Sequence, residues 1–182
     1  MSEKPTILNK TTIATSRLFR IESLDIQFSN GQLRNYERLA RGNPSGAVLI
    51  VPMLDIDTVL LIREYSAGVH RYEVGLPKGK TDKGESFLDA ANRELKEEVG
   101  YGARKLHHLS SFSLAPSYLE HTTEIVIAQD LYAEKLPGDE PEELEVIPWK
   151  LSKINDLLTT GECTEARSIA ALFMTLEYFK SL

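Results

Sequence analysis

Gly79-Lys80-Thr81-Asp82-Lys83-Gly84-Glu85 runs on through Ser86 into Arg93-Glu94-Leu95-Lys96-Glu97-Glu98-Val99-Gly100-Tyr101, joining a loop rich in glycine and charge to a stretch of helical periodicity. At about 100° per residue, Leu88, Ala91, Leu95 and Val99 share one narrow stripe, the face that a helix over 86–99 would bury. Gly100 suits its C-terminal end, where a left-handed residue is favoured. Glu94 and Glu98 fall about 40° apart beside the stripe, and Glu97 shares their flank. Like charges so spaced repel by about 0.2–0.5 kcal/mol per pair, and acids in the last turns oppose the helix dipole. A hard divalent cation would turn the repulsion into coordination through carboxylate oxygens. Taken alone, the helix fits a solvated acidic face neutralised by Arg93 and Lys96 better than a metal site.

Outward from this stretch, residues 71–85 carry Gly75, Pro77, Gly79 and Gly84 and read as a loop. Within it, Gly75-Leu76-Pro77-Lys78-Gly79-Lys80-Thr81 resembles a phosphate-cradling P-loop, but only three residues separate its glycines and no helix opens directly after it. Ala47 to Leu54 and Thr58 to Arg63, joined by Asp55-Ile56-Asp57, read as a pair of strands in a core sheet. The alternation of Phe19, Ile21, Leu24, Ile26 and Phe28 up to Asn30-Gly31, followed by Leu33 to Leu39, predicts a hairpin within residues 12–41. Downstream, 110–113 and 122–130 read as strands around the turn Ala115-Pro116-Ser117, and 134–143 as an acidic exposed loop. A short strand at 146–150 and helices at 152–160 and 164–180 follow, the last with an Ile169, Phe173, Leu176 stripe for the core. These elements predict an α/β (α+β) domain over residues 43–182 with an N-terminal β-hairpin arm over 1–42.

The 182 residues carry a net charge of -6 with a pI near 5.3, which argues against a nucleic-acid polymer as partner. An anionic substrate must then be held locally, by a few basic groups or a metal. No apolar run approaches the ~18 residues of a membrane span, so no membrane partner is expected. A single cysteine, Cys163, and a start without a leader-like apolar core predict a cytoplasmic chain free of disulfides.

Gly79, Glu85, Arg93, Glu94, Leu95, Glu97, Glu98 and Gly100 match every fixed position of G-x5-E-x7-R-E-U-x-E-E-x-G-U, with Tyr101 as the one departure at its last aliphatic site. This resembles the Nudix box. The resemblance implies an α/β/α sandwich with a mixed sheet, in which water attacks one phosphorus of a pyrophosphate-linked nucleotide. It implies that Glu94, Glu97 and Glu98 bind Mg²⁺ or Mn²⁺ with help from the Gly79 carbonyl, and that Glu85 and Arg93 pair to fix loop to helix. Arg63-Glu64-Tyr65, Tyr72 to Pro77, and Pro116 are similar to segments of ADP-ribose pyrophosphatases. Lys78 stands where those enzymes typically have Ala, and Tyr118 lies near a tyrosine position of diadenosine polyphosphate hydrolases. The mixture most resembles the ADP-compounds hydrolase branch, whose substrates are ADP-ribose, NADH and short diadenosine polyphosphates, with AMP as product.

Each further candidate has a plainer reading beside it. Arg63 is either a diphosphate clamp or the partner of a surface acid. Glu73 binds a further metal or caps its loop. Tyr72 and Tyr118 are substrate-contact candidates, Tyr118 for adenine, although both are residue types that commonly pack. The general base comes from the box helix, as Glu97 or Glu98, or from the acidic loop of Glu140, Glu142 and Glu143, with Glu142 taken as the candidate. The hairpin's apolar side chains must be covered, which predicts a homodimer with Arg41 reaching the other subunit's site. The rival readings are another nucleotide substrate, such as a nucleoside triphosphate or an RNA cap, and a nucleotide-sensing module without catalysis.

Overall fold

Leu33 to Leu39 pairs back onto Arg20 to Gln27 because Gly31, at φ 80°, allows the tight reversal after Asn30. The computed structural model describes residues 3–40 and 46–181, and its contacts divide into two units: Met1–Pro44 with Ser113–Thr122, and Ser45–Phe112 with Thr123–Leu182. In the first unit β1 (Thr6–Thr15), β2 (Arg20–Gln27) and β3 (Leu33–Leu39) form an antiparallel sheet in that order. The arm is therefore a three-stranded meander, where a single hairpin was expected. Every residue of β1 is exposed, so no alternation of burial marks it in the sequence. Residues 113–122 belong to the same unit, with the Leu39 amide donating to the Tyr118 carbonyl at 2.8 Å and the Glu120 amide to the Leu39 carbonyl at 3.0 Å.

The second unit contains β4 (Ala47–Pro52), β5 (Thr58–Ser66), β6 (Arg71–Gly75), β7 (Lys78–Lys80), β8 (Tyr101–Ser113), β9 (Thr122–Ala133) and β10 (Glu145–Lys150). Its four-stranded sheet runs β7-β4-β9-β8 and is mixed, since β4 is antiparallel to β7 and parallel to β9. The antiparallel sheet β10-β5-β6 completes it. Two expectations are corrected here. β4 and β5 are not a hairpin but lie in different sheets, touching through one bridge from Met53 to Val59. Both strands are apolar on both faces, and such a pattern does not encode which neighbour each one takes. Residues 71–85 also hold two short strands, paired with β5 and β4, whose polar composition masks them.

Successive side chains of a strand face opposite sides, so β4, β5 and β9 feed two cores. Val48, Ile50, Leu60, Ile62, Val126 and Ala128 pack with Ala90, Ala91, Leu95 and Val99 of the helix that begins as α1 (Phe87–Glu94). Leu49, Val51, Leu61, Ile125 and Ile127 pack on the other side, with Ile154 and Leu157 of α2 (Ile154–Thr159) and Ala171 and Leu172 of α3 (Ala166–Lys180). The result is the α/β/α layering expected. In α3 the buried positions are Ser168, Ala171, Leu172 and Thr175, whereas Phe173, assigned to the core from its spacing, is 37% exposed. Among the described residues no helix is long and apolar enough to cross a membrane.

Candidate active site

The site is built at the end of the helix that α1 starts. Ser86 caps it, its hydroxyl oxygen accepting from the Asp89 amide at 3.1 Å. The expected unbroken α-helix over 86–99 is corrected by a π-helical turn at Leu95–Val99, where the Gly100 amide donates to the Leu95 carbonyl five residues back. An α-helical bond would have used the Lys96 carbonyl. That oxygen instead accepts from the Leu136 amide at 3.2 Å, and the Glu97 carbonyl accepts from Lys135 Nζ at 2.8 Å. The wide turn thus frees the Lys96 carbonyl, which with the terminal Glu97 carbonyl docks the acidic loop beside the glutamates. Gly100, at φ 80°, ends the helix.

Arg93 ties loop to helix. Its Nε and Nη2 donate to the two Glu85 oxygens at 2.9 and 3.0 Å, Nη2 also to the Lys80 carbonyl at 2.8 Å, and Nη1 to Glu94 and Glu97 at 2.9 and 3.0 Å. The Arg93 bonds hold the Glu85 carboxyl below its ordinary value, and the Asp82 amide adds to this. Gly79 is glycine for steric reasons: a Cβ there would stand 1.9 Å from the Glu94 carboxyl carbon. Glu98 accepts from the Lys78 amide at 2.9 Å.

These groups line a cleft of about 540 Å³, in which Glu64, Lys78, Glu94, Glu97, Glu98 and Glu140 meet. Glu94 and Glu98 are 9% and 4% exposed. Burial pushes Glu94 up to about 7, against the pull of Arg93 and with help from Glu97 and Glu140. Burial likewise pushes Glu98 up to about 8, against Lys78 and with help from Glu94 and Glu64. Burial thus favours the protonated form of both carboxyls, because the protein's own cations under-compensate their charge.

Gly79, Glu94, Glu97 and Glu98 are brought together as expected, with Glu85 and Arg93 beside them. Arg63 is not among the residues lining the cleft. It bonds Glu145 and Glu162 at 2.8 and 3.0 Å, the plainer of its two readings. Glu73 caps the turn before α3, accepting from the Thr164 amide and hydroxyl at 3.1 and 2.8 Å. Tyr72 donates to Glu142 at 2.7 Å, and Glu142 borders a side pocket shared with Glu97, while Glu140 lines the cleft itself. Tyr118 is 58% exposed in the first unit, on an apolar groove with Phe28 and Tyr36. Arg41 lies outside the described residues. Sequence reasoning missed Glu64 and the Lys78 side chain, which form an ion pair at the cleft. Their position was a signal, since Glu64 follows Arg63 and Lys78 directly precedes Gly79, both residues of the segments the resemblance singles out.

This helix, cleft and layering define a Nudix protein, and the NUDIX domain model matches residues 44–173, so the chain belongs to that family and is a Nudix hydrolase. A model of the NudE-type Nudix hydrolase N-terminal domain matches residues 5–38. The chain is 53% identical over 178 residues to ADP compounds hydrolase NudE of Escherichia coli, covering 98% of this chain and 95% of the relative. It is 28% identical to ADP-ribose pyrophosphatase of Bacillus subtilis, covering 91% of each. A crystal structure of an ADP compounds hydrolase superposes with TM-score 0.91 at 52% identity, over 100% of this chain and 97% of the other.

Nudix hydrolases generally need divalent metal ions. The donors here fit such a cation: all are oxygens, and the desolvated Glu94 and Glu98 would gain from a nearby positive charge. Among the described residues no three side chains already stand at ligand spacing, because Arg93 draws Glu94 and Glu97 to itself and the Lys78 amide holds Glu98. A cation would therefore compete with Arg93 for the carboxylates.

Proposed function

We infer that the protein hydrolyses the pyrophosphate bond of ADP-linked compounds such as ADP-ribose, NADH and short diadenosine polyphosphates, releasing AMP, with Mg²⁺ or Mn²⁺ at Glu94, Glu97, Glu98 and the Gly79 carbonyl. The observation that carries the reading is the meeting of three glutamates, two of them buried, with the backbone of Gly79 in one cleft. The substrate class comes from the Escherichia coli relative's name and its identity over nearly the whole chain. A bound divalent cation supplies charge neutralisation for the diphosphate oxygens as the P–O–P bond breaks.

The protein's own groups have distinct tasks. Glu94 and Glu98 would present their carboxylates to the cation, and Arg93 orients Glu94 and Glu97 without leaving Glu85. Glu140, carried into the cleft by the docked acidic loop, is the group placed to take the proton of the attacking water, in preference to Glu142, which Tyr72 occupies. The phosphate that receives water leaves as one product, and AMP or its counterpart leaves as the other. The N-terminal unit's exposed Ile7, Leu8, Leu18, Phe19 and Leu33 support a homodimer.

Incubation with Mg²⁺ and a panel of ADP-ribose, NADH, diadenosine triphosphate and nucleoside triphosphates, with products separated by chromatography, tests the reading. AMP from the ADP-linked members, at higher kcat/KM than nucleoside triphosphate turnover, is expected. Preference for a nucleoside triphosphate, or no hydrolysis of any member, would overturn it.

A further inference from the structure

The cleft is acidic, yet its substrate is an anion, so the basic groups facing it matter singly. Arg93 has nothing left to offer: a guanidinium carries five N–H groups, and its five bonds go to Glu85 twice, Lys80, Glu94 and Glu97. The other side-chain cations lining the cleft among the described residues are Lys78 and Lys80. Lys80 is exposed. Lys78 is partly buried; its ammonium pairs with Glu64, and its charge also acts on Glu98. An ammonium has three donors, so this contact leaves capacity for more. Glu64 sits on β5 and Lys78 on β7, strands of different sheets, and both side chains line the cleft that holds Glu94 and Glu98.

We propose that Lys78 is the substrate clamp of this site: its ammonium leaves Glu64 for a non-bridging oxygen of the substrate's diphosphate. Glu64 holds the ammonium beside the cleft until then. The exchange swaps one oxyanion for another, so the ammonium is never stranded in a half-buried position without a counter-charge, and the entering diphosphate gains a charge-assisted bond. The clamp rests on the diphosphate-hydrolase reading above and deepens it, by naming the protein cation that contacts the phosphates.

A clamp and a structural strut respond oppositely to removal of each partner. Lys78→Met deletes the clamp and leaves Glu64 to repel the substrate, whereas Glu64→Gln frees the ammonium and removes the competitor. The measurements are KM and kcat for ADP-ribose with Mg²⁺, calorimetric affinity for inorganic pyrophosphate with Mg²⁺, and melting temperature, on wild type, Lys78→Met, Lys78→Arg and Glu64→Gln. Lys78→Met is expected to raise KM and weaken pyrophosphate by about 10- to 100-fold, the worth of a hydrogen bond to a charged group. Lys78→Arg is expected to recover part of that loss, and Glu64→Gln to lower KM and tighten pyrophosphate. The proposal is overturned if Lys78→Met leaves both quantities unchanged, or if Lys78→Met and Glu64→Gln shift them in the same direction, as loss of a strut would. A wild type that hydrolyses no ADP-ribose refutes the functional reading, and the pyrophosphate affinities then still decide the clamp.

Discussion

Gly79 shows how much one carbon atom decides. Since a Cβ would fall 1.9 Å from the Glu94 carboxyl carbon, Gly79→Ala must displace either the loop or the glutamate. Its kcat is expected to fall by about 100-fold or more, since ångström-scale misplacement costs that much in a preorganised site. Glu98→Gln keeps the shape and an acceptor for the Lys78 amide but removes a charge, so kcat should drop by orders of magnitude, about 3 kcal/mol or more of transition-state stabilisation. Its melting temperature should not fall. Arg93→Ala is the converse, leaving Glu85 and its neighbours unpaired at a cost of about 3 kcal/mol, and differential scanning calorimetry should show a lowered melting temperature. Equal melting temperatures for the two variants would contradict this division. The box glutamates were legible because helical geometry and fixed spacing coincide in them. Arg63 was harder, because neighbouring strand residues face opposite sides: Arg63 goes to Glu145 and Glu162, and Glu64 goes to Lys78.

The π-helical turn joins two elements that the sequence reads separately. By withdrawing the Lys96 carbonyl from the helix ladder it gives the Leu136 amide a partner, and Lys135 and the Lys96–Glu134 pair reinforce the dock. No periodicity announces such a turn, since one wide turn shifts the pattern by less than a residue's spread. The dock sets which loop acid enters the cleft. Glu140→Gln is therefore expected to lower kcat by about 100- to 10,000-fold, the range for loss of a general base, while Glu142→Gln stays within about tenfold of wild type. Steady-state kinetics check this, and the reverse order would restore Glu142 as the base. The strand order had the same limitation as the turn. Runs such as Ala47 to Pro52 and Thr58 to Ser66 declare themselves strands by composition, but pairing across different sheets is set by contacts distant in sequence.

The first unit has an electrostatic support of its own. There Glu22 is 3% exposed, and although burial would raise its carboxyl, the Arg38 bonds with the charges of Lys10, Arg38 and Arg20 outweigh it and hold it below 4.5. A depressed acid stabilises the fold fully above its unfolded value and loses that contribution as pH falls through the folded one. The melting-temperature gap between wild type and Glu22→Gln should thus be widest near neutrality and close as pH drops below about 4.5. A gap that widens in acid would contradict the assignment. The exposed apolar residues of the same unit support self-association, and light scattering on the full chain should report a dimer. β1 and the grouping of residues 113–122 with the arm escaped the sequence because neither carries a buried stripe of its own. If a divalent cation held by Glu94, Glu97 and Glu98 drives cleavage of an ADP-linked diphosphate, AMP release must depend on the metal and on those carboxylates together. Mg²⁺ titrated into EDTA-stripped wild type and Glu98→Gln with ADP-ribose, with AMP quantified, reads this out. AMP release is expected to rise from zero with Mg²⁺ in the wild type and to be lower by orders of magnitude in the variant. AMP release without metal, or equal release by the two proteins, would contradict it.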